Sequence, residues 1–133
     1  VITADHGHPM PGNGNFSSAN RYKIPMLWLG GALNTKDTVI HTLAGQTDIA
    51  NTILGQVAKQ NDHFNFSHDI LNPAYSPFAI FIFNNGFGFI QPGKLLVYDN
   101  IGKSLIVDEK NSPEDLEYGK SFMQKLYWDF NSR

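Results

Sequence analysis

Hydrophobic and polar positions divide the chain into two stretches of different character. Residues 1–4 are apolar apart from Thr3 and predict the end of a buried strand. Ile24-Pro25-Met26-Leu27-Trp28-Leu29 predicts a second buried strand, with Pro25 near its start and Gly30-Gly31 ending it. Between them, residues 9–20 are rich in Pro, Gly, Asn and Ser and read as a loop. A polar turn at 34–37 leads into a short β-prone stretch at 38–43. A helix is predicted over 47–59, where Ile49, Ile53, Leu54 and Val57 share one face and Thr47 or Asp48 is placed to cap the first turn. Residues 61–77 form a long irregular connection.

The second stretch is richer in aromatics. Residues 78–90 are apolar and are interrupted by Asn84-Asn85-Gly86, which fits one strand with a bulge or two strands joined by a turn. Residues 95–98 and 104–107 predict a hairpin. A last helix begins at Pro113, with Ser112 as N-cap and Glu114 and Asp115 in its first turn. Leu116, Phe122, Met123, Leu126, Tyr127 and Phe130 form its apolar stripe. The fold class expected is α/β, ending in a small antiparallel sheet with a covering helix. The expected division is 1–77 for the end of an α/β core and 78–133 for the sheet and helix.

Composition narrows the function classes. The chain has 133 residues, of which 41 % are hydrophobic and 13 % aromatic, so it is globular rather than disordered. A net charge of −2 without basic clusters argues against a nucleic-acid surface. No apolar run is long enough for a membrane helix and no signal peptide is present, so the stretch itself reads as soluble. There are no cysteines, which removes disulfides and thiolate metal sites. The chain opens inside an expected strand without a Met, and so reads as the back part of a longer protein.

The candidate chemistry lies at the start. Asp5 and His6 follow the first expected strand, where ligands collect at strand ends of α/β proteins. A carboxylate oxygen beside an imidazole nitrogen is a donor mix that Zn²⁺ or Mn²⁺ accepts. Gly7 is read as the residue that lets the backbone turn. The structural alternative is a turn Asp that caps backbone N–H groups and a His packed at the strand end. His8 is a third ligand, a substrate contact or an exposed loop histidine. His41, His63 and His68 read as surface histidines, and Asp48 as a helix cap. Asn84-Asn85-Gly86-Phe87-Gly88 is not followed by a helix pattern, which argues against a phosphate-binding loop. No Gly-x-Ser-x-Gly elbow is present.

Three segments together resemble the C-terminal part of the alkaline phosphatase superfamily. They are Thr3-Ala4-Asp5-His6-Gly7, Tyr22-Lys23-Ile24-Pro25-Met26-Leu27-Trp28-Leu29-Gly30-Gly31-Ala32-Leu33 and Gln46-Thr47-Asp48-Ile49-Ala50-Asn51-Thr52-Ile53-Leu54. Phe66-Ser67-His68-Asp69-Ile70-Leu71 and residues 81–89 look closest to the sulfatase-like branch of bacterial lipoteichoic acid synthases and phosphoglycerol transferases. The resemblance implies a sulfatase-like catalytic domain whose Asp5 and His6 bind a divalent metal, Mn or Zn. It places a Thr or Ser nucleophile and a further acidic ligand in an N-terminal remainder of the same domain. No His lies between His8 and the returning strand, so one ion is expected rather than two. His8 either takes some of the missing histidine's role or, at a one-metal site, is the candidate substrate-binding residue. The implied substrate is a phosphate or sulfate ester, including a lipid or glycan head group. The implied parent is membrane-anchored with an extracytoplasmic catalytic domain, and the stretch alone is expected to be inactive. An arylsulfatase-type enzyme and a non-catalytic module that kept the fold are the alternatives.

Overall fold

A computed structural model describes residues 1–8, 14–31, 33, 37–59 and 63–133. The polar turn expected at 34–37 and the start of the loop expected at 9–20 lie largely outside the described residues. The chain forms two compact units, Val1–Pro77 and Phe78–Arg133. The architecture is mixed α/β.

The first unit holds little regular structure. β1 (Ile2–Thr3) pairs antiparallel with β2 (Met26–Leu27), and Thr3 Oγ1 donates to the Pro25 carbonyl at 3.1 Å. The expectation of two buried strands is corrected. Ile2 is 63 % exposed and Leu29 68 %, so these apolar runs lie at the surface of the unit. Residues 38–43 form no strand. The expected helix is also shorter: a 3-10 turn at Gln46–Asp48 leads into α1 (Ile49–Gln56).

The buried side of α1 is polar. Ile53 and Val57 are exposed, whereas Thr52 is 1 % exposed. Thr52 Oγ1 donates to the Asp48 carbonyl at 2.7 Å and accepts the Ile70 N–H at 3.1 Å. The Asn51 N–H donates to Ser67 Oγ at 2.9 Å, and Asn51 Nδ2 to the Ser67 carbonyl at 2.6 Å. The helix therefore docks a loop whose backbone groups would otherwise go unpaired.

The second unit is a sheet under a helix. β3 (Ala79–Phe83), β4 (Gly86–Gln91), β5 (Lys94–Asp99) and β6 (Ser104–Glu109) form an antiparallel meander in that order. Phe83 pairs with Gly86, so Asn84 and Asn85 make a two-residue hairpin loop rather than a bulge. A register shift between Val97 and Tyr98 bends the last pair. α2 (Pro113–Ser132) covers one face, where Phe87, Phe89, Leu96 and Met123 make the core. Phe78 joins them edge-on to Phe122 at 5.4 Å and Tyr118 at 5.8 Å between ring centres. Further along, the stripe read for α2 leaves the core, and Tyr127, Trp128 and Phe130 are exposed.

One ion pair ties α2 to β5. The Asp115 carboxylate accepts Lys94 Nζ at 2.7 Å and the Ser112 N–H at 2.8 Å, which closes the first turn of the helix. The Lys94 contact, then the Ser112 amide, hold the Asp115 carboxyl below its ordinary range, against the opposing pull of burial. A folded-state pKa below the unfolded value of about 3.9 makes this contribution complete above that value. It is lost as pH falls through the folded pKa. Lys94 is 37 % exposed, so the low end of the range for charged hydrogen bonds applies. Asp115→Asn is expected to cost about 1–2 kcal/mol at about pH 7, with a smaller gap to wild type at about pH 3, below the unfolded carboxyl's pKa. Urea unfolding at both pH values checks it, and a gap of equal size at both would overturn it.

Candidate functional site

β1 delivers Asp5 and His6 to a short exposed turn. Their side chains are 90 % and 75 % exposed, so packing does not set their orientation. The backbone does. His6 Nδ1 lies 2.9 Å from the Gly7 carbonyl. A carbonyl only accepts, so Nδ1 carries the proton, and in the neutral ring Nε2 carries the lone pair. Nε2 in turn faces Asp5 Oδ1 at 3.6 Å. Two lone-pair donors then lie within the reach of a single cation.

Gly7 has a different role from the one read in the sequence. Its φ is not in the left-handed region. A side chain there would run into the Arg21 carbonyl, so Gly7 permits close approach of two backbone segments. Arg21 is itself held, with its guanidinium donating to the Gly14 carbonyl at 3.1 Å and lying 4.2 Å over the Phe16 ring. Next to it the Tyr22 hydroxyl donates to the Phe16 carbonyl at 2.9 Å, and burial raises the Tyr22 pKa, partly offset by Arg21.

Gln46 also reaches this turn. Its Nε2 donates to the Ala4 carbonyl at 2.9 Å and to the Asp5 carbonyl at 3.1 Å. Sequence reasoning quoted Gln46 only as part of a helix opening. Nothing periodic connects residues 41 and 42 positions apart.

The donor chemistry fits a divalent ion in part. Tetrahedral coordination with bonds of about 2.1 Å sets neighbouring ligand atoms about 3.4 Å apart, close to the separation of Asp5 Oδ1 and His6 Nε2. Among the described residues no group of three or more His, Cys, Asp or Glu side chains gathers to complete a site. His8 is exposed in the same turn, and His41 and His63 are exposed elsewhere in this unit.

His68 and Asp48 depart from their sequence readings. Asp48 is buried, 4 % exposed. Its Oδ1 accepts the His68 N–H at 2.9 Å and meets His68 Nδ1 at 3.0 Å. Its Oδ2 accepts the Gly45 N–H at 2.9 Å and the Tyr75 hydroxyl at 3.3 Å. Asp48 makes no side-chain bond to the first turn of α1, where the sequence reading placed its cap; through Gly45 it instead closes the preceding 3-10 turn, and the rest makes it the hub of the first unit. His68 is only partly exposed, with the Tyr75 ring 5.6 Å away.

No protein-family model, no curated protein and no solved structure matches this chain.

Proposed function

We propose that the chain is the C-terminal part of a metal-dependent phospho- or sulfo-ester enzyme, most akin to the phosphoglycerol transferases. The observation that carries this is the Asp5–His6 pair, two complementary donors 3.6 Å apart in the turn after β1, with Gln46 and Arg21 in contact with that turn's backbone. Asp5 Oδ1 and His6 Nε2 would hold one Mn²⁺ or Zn²⁺. When bound, such an ion supplies charge that acidifies a hydroxyl nucleophile and neutralises an ester's oxygens. Asp5 contributes negative charge. His6 presents Nε2 because its other nitrogen is committed to the Gly7 carbonyl. His8 contacts the substrate from the same turn. The nucleophile and the remaining acidic ligand belong to a preceding part of the same domain, and the parent faces outside a cytoplasmic membrane. No described helix is long and apolar enough to cross a membrane.

Manganese titration of the chain, read by paramagnetic broadening of its amide resonances, tests the donor pair. The Asp5, His6 and Gly7 signals are expected to broaden first. Asp5→Asn and His6→Ala should each weaken binding by about tenfold or more, since removing even outer-shell partners costs that much. Broadening that is the same in both variants would remove the pair from the site. The second reading is a non-catalytic module that kept the fold. The full-length protein distinguishes the two: turnover of phosphate diesters or aryl sulfates that needs Mn²⁺ and is lost in Asp5→Asn sinks the module.

A further inference from the structure

We propose that Gln46 is a positioning residue for the Asp5–His6 donor pair, a role that rests on the metal-site reading above. The argument begins with what the side chains lack. Both donors are exposed and neither is locked by packing, so what the fold sets for them is the backbone from which each side chain starts. That backbone has two peptide planes flanking Asp5, one ending in the Ala4 carbonyl and one in the Asp5 carbonyl. Each plane is rigid, and fixing both fixes the rotations about Asp5 between them. Gln46 Nε2 bonds both oxygens at once, at 2.9 and 3.1 Å.

The chemistry of the amide allows one orientation only. Carbonyl oxygens accept and do not donate, so the NH₂ end must face the strand and its two hydrogens serve the two oxygens. A carboxylate of the same shape would set oxygen against oxygen. Gln46 is also a firm anchor, because it begins the 3-10 turn that ends at Asp48. Asp48 is buried and receives Gly45, His68 and Tyr75. Two residues after Asp5, Gly7 lies against the Arg21 carbonyl. The donor turn is thus held at two points, and Gln46 holds it through hydrogen bonds that a substitution can remove without creating a clash.

The test compares the wild-type chain with Gln46→Ala, Gln46→Glu and Asp5→Asn. Two quantities are read: backbone order parameters without metal, and the Mn²⁺ affinity from paramagnetic broadening. In Gln46→Ala the amides of Asp5, His6 and Gly7 are expected to fall into the flexible range, below about 0.6, while Thr52 stays rigid near about 0.85. Mn²⁺ binding should weaken about tenfold, and further in Gln46→Glu. Order and affinity both unchanged in Gln46→Ala would overturn the role of Gln46, with the donor pair still standing if Asp5→Asn loses binding. Weakened binding with unchanged order at Asp5 to Gly7 would overturn it as well. Full Mn²⁺ affinity in Asp5→Asn would overturn the metal reading and this role with it. A Gln46 variant that loses order at Thr52 too would overturn a local role, since the substitution then acts on the whole unit.

Discussion

Asp48→Ala is expected to destabilise the first unit by about 3 kcal/mol. Four donors converge on the two oxygens of Asp48 in a site that water barely reaches. Two of them are backbone N–H groups, of Gly45 and His68, and both lose their partner. Each part-buried donor left unsatisfied costs about 1–3 kcal/mol. The Tyr75 hydroxyl is the exception, since it can rotate. Asp48→Asn therefore has one good orientation, with its NH₂ toward Tyr75 and Gly45 and its oxygen toward His68. Tyr75 turns from donor to acceptor and only the Gly45 N–H is stranded, so the loss should be about half that of alanine. Trp28 lies in the first unit and Trp128 in the second. Urea unfolding followed by Trp28 fluorescence in a Trp128→Phe background reads the effect. A loss below about 1 kcal/mol in Asp48→Ala would show that Asp48 is not the hub.

The second unit was legible because its signals are local. The Ser112-Pro113 helix start, the short apolar runs of β5 and β6 and the Asn84-Asn85-Gly86 interruption all act within a few positions. The choice between a bulge and a hairpin needed the register of Phe83 with Gly86, and the stripe read for α2 ran on to Tyr127 and Phe130, which are exposed. The first unit was less legible for two physical reasons. A short apolar run such as Met26-Leu27-Trp28-Leu29 has the same pattern whether it is covered or bare, and here Leu29 is bare. The unit is also held by polar contacts between distant positions. Gln46 reaches Ala4, Asp48 reaches His68 and Asn51 reaches Ser67, and none of these pairs leaves a periodic trace. For the same reason the helical period put Ile53 and Val57 inside, whereas Thr52 is the buried residue. Asp5 and His6 were visible because they are adjacent. What orients them was not, since Gln46 and Arg21 come from elsewhere in the chain.

Gly88→Ala carries the clearest test of sign in the second unit. Strand propensity alone predicts a gain, because glycine in a strand interior is worse than alanine by about 0.5–1 kcal/mol. The geometry predicts the opposite. Gly88 pairs directly with Phe81, so the two share a face of the sheet, and a Cβ on Gly88 would fall within the Phe81 ring. The ring is 5 % exposed and packs at 6.5 Å from Phe83, so it cannot swing aside without opening that face. On the far side Val97 is fully buried, which blocks a shift of β4 away from Phe81. Overpacking of this kind costs about 1–3 kcal/mol, and the upper end is expected here. Phe81→Leu alone should also be destabilising through lost ring burial. In the double variant the leucine leaves room for the new methyl group, so the two losses should fall short of additive by about 1 kcal/mol or more. Urea unfolding followed by Trp128 in a Trp28→Phe background measures all four corners of the cycle. A neutral or stabilising Gly88→Ala, or strictly additive losses, would mean that the Phe81 ring does not need the bare backbone beneath it. The expected coupling would identify Gly88 as the seat of an aromatic ring, the reason a glycine stands in the middle of β4.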